Sequence, residues 1–274
     1  FLNGQYWGHM NLRERVDRFF IAQFEGLPLD QADEMDILEA NGTVNFGSNK
    51  AYRAMLKKIK AGSPATNPDD LQYILDNVDV DNLFEYMALE MFVGNSDIGN
   101  IRYYRLHQEG SKWKWIWYDA DYGLYSSKFN SPWSYLKVKG MGEQKIDNTI
   151  FLKLLEHPDY KRKFLEKLAD VYKTFTTEYM TQVLDGVVAE IQPEMKNHWE
   201  RWGELNDKAV TSEVPTTIDG AYTYWESRVN RLYNTLKVRP HRLWDFIKDE
   251  FKLTKAEMEE LFGPQPDYPD DAVL

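Results

Sequence analysis

Residues 79–123 run DVDNLFEYMALEMFVGNSDIGNIRYYRLHQEGSKWKWIWYDADYG. Leu83, Phe84, Met87, Ala88, Met91 and Phe92 recur at the period of a helix, placing one broad apolar stripe toward a core. Asp79 or Asp81 supplies its N-cap, and Gly94 ends it. After the polar loop Asn95-Ser96-Asp97-Ile98-Gly99-Asn100, residues 101–106 read as a strand, Gln108-Glu109-Gly110-Ser111 as a turn and 112–118 as the returning strand. Trp113, Trp115 and Trp117 alternate along that strand, share one face and are expected to pack against the sheet's core. A hairpin returns the chain to its start, so residues 101 and 118 become neighbours. Asp97, Asn100, Asp119 and Asp121 then gather at one end of a small sheet.

On the amino-terminal side, Phe1-Leu2-Asn3-Gly4-Gln5-Tyr6-Trp7-Gly8 reads as strand, Asn-Gly turn and strand, the second strand continuing through Met10 and Leu12. Residues 13–24 then turn helical, with Val16, Phe19, Phe20 and Gln23 in helical register. A short amphipathic helix is expected over 51–60, closed by Ala61-Gly62-Ser63-Pro64, with another capped by Asp69 or Asp70. From Thr149 onward the pattern is almost wholly helical. The tail Gly263-Pro264-Gln265-Pro266-Asp267-Tyr268-Pro269-Asp270-Asp271 offers little to pack and is expected to be flexible. Because Phe1 falls inside an expected strand, the chain reads as a fragment or processed product, any signal peptide lying upstream.

A chain of 274 residues, 43% hydrophobic and 15% aromatic, can bury a sizeable core. Its net charge of −11 argues against nucleic acid and anionic membranes as partners, although a polyanion such as ATP is admissible where metal ions neutralise the local field. The absence of cysteine removes disulfides, zinc-thiolate sites and thiol nucleophiles. No apolar run reaches the roughly 18 to 20 residues that span a bilayer.

The chemistry lies in the gathered acids. Hard cations such as Mg2+ take oxygen ligands, commonly one or two carboxylates with waters and substrate phosphates. Phosphoryl transfer further needs a carboxylate that orients the attacking hydroxyl and accepts its proton. Protein kinases meet both needs with a loop Asp, a metal-binding Asn, a hairpin and Asp-Phe-Gly. Here Asp97 corresponds to the loop acid, Asn100 to the metal amide and Asp121-Tyr122-Gly123 to Asp-Phe-Gly, although the Asp-to-Asn gap is shorter than in that motif.

The sequence also resembles the spore coat protein H (CotH) kinase-like family. The likeness rests on residues 1–8 with Asn11-Leu12-Arg13-Glu14-Arg15-Val16-Asp17, on Val80-Asp81-Asn82-Leu83 through Tyr86-Met87-Ala88, on Gly94-Asn95-Ser96-Asp97 with Asn100-Ile101-Arg102, and on Trp113-Lys114-Trp115 leading into residues 118–123. It continues weakly to Arg239-Pro240. The resemblance implies an α+β, atypical two-lobe protein-kinase fold, secreted or envelope-associated, that uses ATP and Mg2+ to phosphorylate serine or threonine on a protein substrate. Carried over by motif, Asp97 is the catalytic base, Asn100 a metal ligand and Asp119 or Asp121 the principal metal-binding acid. Asp121 is favoured because Tyr122-Gly123 follows it. The implied layout is the remainder of an amino-terminal lobe over 1–50, a helical lobe with the active site over 51–262 and a flexible acidic tail over 263–274. Upstream strands with an Arg-Gly-Asn-Ser-like segment and phosphate-binding lysines, usual in the family, are not found before Phe1.

Simpler readings stand beside these. Arg13 and Glu14 fit either a nucleotide contact or an exposed ion pair at a helix start. Asp79 and Asp81 are better explained by capping than by metal binding. His157 before Pro158 reads as a turn residue, and Trp199, Trp202 and Trp225 as helix packing. The alternative function is a non-catalytic surface or coat protein that keeps a kinase-like fold for adhesion or assembly. A third is a carbohydrate-binding module, which needs the tryptophans exposed along a groove.

Overall fold

In a computed structural model, residues 1–138, 146–206 and 217–270 are described. Contacts divide the chain into two compact units. One comprises Arg15–Thr174 with Pro240–Asp267, the other Phe1–Glu14 and Phe175–Arg239 with the chain's end from Tyr268.

The first unit is built on a four-stranded antiparallel sheet of order β2-β1-β3-β4, with β1 Met35–Glu39, β2 Thr43–Phe46, β3 Arg102–Leu106 and β4 Lys114–Ile116. Its helices are α1 Arg18–Phe24, α2 Lys50–Ala61, α3 Pro68–Asn77, α4 Val80–Val93, α5 Ser131–Lys137, α6 Thr149–Leu155 and α7 Pro158–Thr174. The α+β class is as expected. Sheet pleat assigns the two faces. Met35, Ile37, Tyr104 and Leu106 share one face and join Ile21 and Ala22 of α1 in one buried cluster. Tyr103 and Trp115 point the other way, where Tyr52 of α2 lies 4.7 Å from the Tyr103 ring and 5.0 Å from the Trp113 ring. Trp113 and Trp115 are buried while Trp117 is 44% exposed, so the tryptophan face is core and not a groove for sugars.

Helix α4 is the centre of this unit. Asp79 caps it, accepting the Asn82 N–H at 3.1 Å, and Gly94 closes it in the left-handed region at φ 67°. The expected single stripe understates it. Val80, Leu83, Phe84, Tyr86, Met87, Ala88, Glu90, Met91, Phe92 and Val93 are all buried, because α7, α5 and β4 pack on different sides of the helix. Asn82 also covers the free edge of β4. Its Nδ2 donates to the Trp115 carbonyl at 3.1 Å and its Oδ1 accepts the Trp115 N–H at 2.6 Å, replacing the missing neighbour strand.

Several local expectations shift. The cap of α3 is Asn67, which accepts the Asp69 N–H, while Asp69 and Asp70 lie in the first turn. The helix read from residue 13 starts only at Arg18, because the Asp17 carboxylate accepts the N–H groups of Phe19 and Phe20. His157 does lie in the turn between α6 and α7, its Nδ1 accepting the Asp159 N–H at 3.3 Å. The tail is held as far as Pro266, since Trp244 donates to the Gly263 carbonyl at 3.1 Å and the His241 ring meets the Pro266 carbonyl at 2.7 Å. Residues 271–274 lie outside those described. β1 hydrogen-bonds to β3 along its length, so residues 15–50 group with the sheet.

The second unit carries α8 Thr177–Ile191, α9 Met195–Asn206 and the part of α10 (Ile218–Phe251) up to Arg239. α11, Lys255–Phe262, belongs to the first unit. The amino-terminal hairpin shrinks to a single bridge, Leu2 to Gln5, around Asn3 and Gly4 at φ 49° and 81°. No strand continues through Met10 and Leu12. The backbone there finds side-chain partners on α9 instead: Trp202 donates to the Trp7 carbonyl at 2.9 Å, and the His9 N–H reaches His198 Nδ1 at 3.1 Å.

Candidate active site

The candidate site is made of two chain segments that leave the same end of the α4–β4 pair. The first follows Gly94. Asn95, Ser96 and Ile98 are buried, and Asn95 Oδ1 accepts the Asp97 N–H at 3.1 Å, an Asx turn that fixes the backbone of Asp97. The Asn100 N–H then donates to the Asp97 carbonyl at 3.1 Å. Both Asp97 and Asn100 are partly exposed.

The second segment leaves β4. Register pairs Arg102 with Ile116, so Asn100 falls opposite Tyr118. The side chains meet as that register requires: the Tyr118 hydroxyl donates to Asn100 Oδ1 at 2.7 Å, and Asn100 Nδ2 donates to Asp119 Oδ2 at 2.6 Å. Asp119 sits at φ 54°, a left-handed conformation that Asp tolerates better than most residues. The segment then folds back on α4, with the Gly123 N–H on the Ala120 carbonyl at 2.8 Å and the Leu124 N–H on the Val93 carbonyl at 2.6 Å. A Cβ at Gly123 would meet the Ala120 carbonyl oxygen at 2.8 Å and Val93 Cγ2 at 3.0 Å, so only glycine fits the fold-back.

Of the residues expected to act, Asn100 and Asp119 are therefore in contact, and Asp97 is joined to Asn100 through the backbone. Asp121, the favoured metal acid, lies exposed two residues beyond the acid that meets Asn100. Arg13 and Glu14 are exposed, precede α1 and fall in the other compact unit. No group of three His, Cys, Asp or Glu able to hold a metal is found among the described residues. Asp119 supplies carboxylate oxygens of the kind a hard cation takes when phosphates and waters complete its shell, while the Asn100 oxygen is turned to the Tyr118 hydroxyl and its NH2 to Asp119.

Three supporting groups escaped the sequence reading. The Arg102 guanidinium lies 4.9 Å from the centre of the Tyr118 ring and pairs with Glu39 at 3.3 Å. Burial raises the Tyr118 hydroxyl above its ordinary pKa, Arg102 opposing and Glu39, Asp119 and Asp97 adding to the rise, so it serves the site as a neutral donor. Below the loop lies Glu90, 1% exposed, which accepts the Tyr135 hydroxyl at 2.6 Å. Burial pushes this carboxyl up to about 7. An acid within the run Met87-Ala88-Leu89-Glu90-Met91-Phe92-Val93 was the available signal.

Compared with known families, residues 1–243 match the CotH kinase protein model. The chain belongs to the CotH kinase family. Neither the curated proteins nor the solved structures compared with it contain a match. Membership in the CotH family makes this a kinase-like protein, and among the described residues no helix is long and apolar enough to cross a membrane.

Proposed function

We propose that this chain is an atypical protein kinase that transfers phosphate from ATP, with Mg2+, to serine or threonine hydroxyls of a protein substrate at the cell envelope or outside the cell. The observation that carries the reading is the Asn100–Asp119 contact, which unites the loop and strand-end motifs of a CotH-family chain at one place.

In this reading Asp97 orients the acceptor hydroxyl and takes its proton, while Asn100 and Asp119 hold the cation, with Asp121 as a further acid at its exposed side. The metal ion, when bound, supplies positive charge against the phosphate oxygens. In the structure Asn100 Oδ1 accepts the Tyr118 hydroxyl and Nδ2 donates to Asp119, so in this reading the amide turns its oxygen toward Asp119 when the cation binds. A mainly apolar cleft of about 380 Å³, walled by Phe20, Phe24, Leu89, Ile116 and Trp117, is large enough for a flat base, and Trp117 lies on the same strand end as Asp119. The two-lobe arrangement, and nucleotide contacts by Arg13 and Glu14, belong to the same proposal.

The test is radiolabelled phosphate incorporation into a serine-containing acceptor with Mg2+ and ATP. Asp97→Ala and Asp119→Ala should each abolish transfer while circular dichroism stays unchanged. Undiminished incorporation in either variant removes that residue's assignment, and none in the wild type favours the non-catalytic adhesion or assembly role.

A further inference from the structure

We propose that His198 is a pH-operated latch on the amino-terminal segment: the neutral imidazole holds the His9 backbone against α9, and protonation of the ring lets the chain from His9 onward go.

The contact has a fixed chemical sense. The His9 N–H reaches His198 Nδ1 at 3.1 Å. A backbone N–H only donates, so Nδ1 must offer a free lone pair and the neutral ring carries its proton on Nε2. The residue before His9 lets the chain come this close. Gly8 stands at φ 98°, and a Cβ there would collide with the Trp202 indole and meet His198 Nδ1 at 3.2 Å. Trp199 packs edge-on against the imidazole, ring centres 5.7 Å apart, which restricts the ring's rotation.

The same segment is held at a second point that does not titrate. The Trp202 indole donates to the Trp7 carbonyl at 2.9 Å, and the two tryptophan rings meet edge to face at 5.6 Å. The Arg201 guanidinium lies over both rings, 4.4 and 4.5 Å from their centres. Neither an indole N–H nor a carbonyl gains a proton in the range where histidine does. The Trp7 anchor is therefore constant and the His9 contact conditional.

Protonation of His198 puts a hydrogen on Nδ1, so a donor faces a donor and the bond is lost. Among the described residues, His9 and Tyr6 approach from the segment, the Tyr6 hydroxyl donating to the Glu194 carbonyl at 3.4 Å. One turn away along the helix lie Arg201, laid on the tryptophans, and Glu194, whose carboxylate accepts Asn197 Nδ2 at 3.1 Å. Lys196 of α9 pairs with Asp219 of α10 at 3.2 Å. Burial, with His9 adding to it, holds His198 below its ordinary pKa. The latch is therefore fully closed above the ordinary histidine value and opens as pH falls through the lower value of the fold.

The test is hydrogen exchange of the intact protein, corrected for intrinsic rates and followed from about pH 8 to about pH 5. Protection of the His9 amide should fall by about tenfold, the size of one hydrogen bond. The Trp202 indole N–H should keep its protection throughout. The midpoint should coincide with the titration of the His198 ring, read from its NMR shifts. His198→Asn, whose Oδ1 stands near the place of Nδ1 and takes no proton, should keep the amide protected at every pH. His198→Leu should leave it unprotected at every pH. A pH-independent His9 amide in the wild type overturns the latch, as does a step that survives in His198→Asn. Simultaneous loss at His9 and the Trp202 indole also overturns it, because that pattern reports opening of the whole unit. Should neither variant fold, a wild-type step centred away from the His198 titration decides against the latch.

Discussion

The two arms of the candidate site are built in opposite ways. Residues 95–98 are set into the protein, with Asn95 at 1%, Ser96 at 8% and Ile98 at 0% exposure, whereas Asp119, Asp121 and Tyr122 of the other arm are exposed. The inner arm is fixed by hydrogen bonds to buried groups, which are costly to leave unmade. The outer arm is shaped by local backbone fit: Asp119 at φ 54°, Leu124 at φ 55° and a glycine where a Cβ would collide. In one site, the proposed base therefore rests on a rigid seat and the acid opposite it on an adjustable one.

Breaking the inner arm should have the largest effect. Glu90 is raised from 4.5 to about 7 in the fold, so the folded protein binds the extra proton between those values. The stability tied to its neutral form is complete below the unfolded value and is lost as pH rises through about 7. Urea titrations between about pH 4 and about pH 8 should show wild type losing on the order of 3 kcal/mol relative to Glu90→Gln, which stays neutral throughout. Removing the bracket on β4 comes next. Asn82→Ala leaves the Trp115 N–H and carbonyl without their partner and should cost about 2 kcal/mol by thermal unfolding, loosening the outer arm that leaves β4.

Gly123→Ala should separate the arms. The added methyl forces the outer arm from Val93 and should cost about 1.5 kcal/mol, with faster exchange over 119–124 and none over 95–98. At the bottom of the scale, Asp121→Ala should change stability by no more than about 0.5 kcal/mol, as expected for an exposed side chain. A larger loss there would show that the outer arm is tied down as firmly as the inner one.

Elements whose signal is local were legible. A cap at Asp79 or Asp81, the stop at Gly94, the turn at 108–111 and the return of the chain toward Asn100 follow from residue type and spacing, and the structure places them there, with Asp79 as the cap. β1 and β2 were passed over, although Asn41-Gly42 between two strand-like runs is a hairpin signal. Residues 1–12 promised a hairpin and gave only its turn, because side chains of α9 satisfy the backbone that a strand would have paired. The choice between Asp119 and Asp121 also escaped the pattern. Asp-Tyr-Gly points to the second acid by analogy, while the antiparallel register brings the first against Asn100.

By itself, the sequence determined the helix, loop and hairpin order, the acidic pairing at one sheet end and the CotH-family membership, since these rest on periodicity, turn chemistry and motif. Tertiary structure alone decided which oxygens meet and what lies beneath them. Asn100 touches Asp119 only because of strand register, and Glu90 acquires its raised proton affinity only because the fold buries it, with the Tyr135 hydroxyl of α5 against it. Periodicity can mark a residue as inward, but the identity of its neighbours is set by elements far away in the chain.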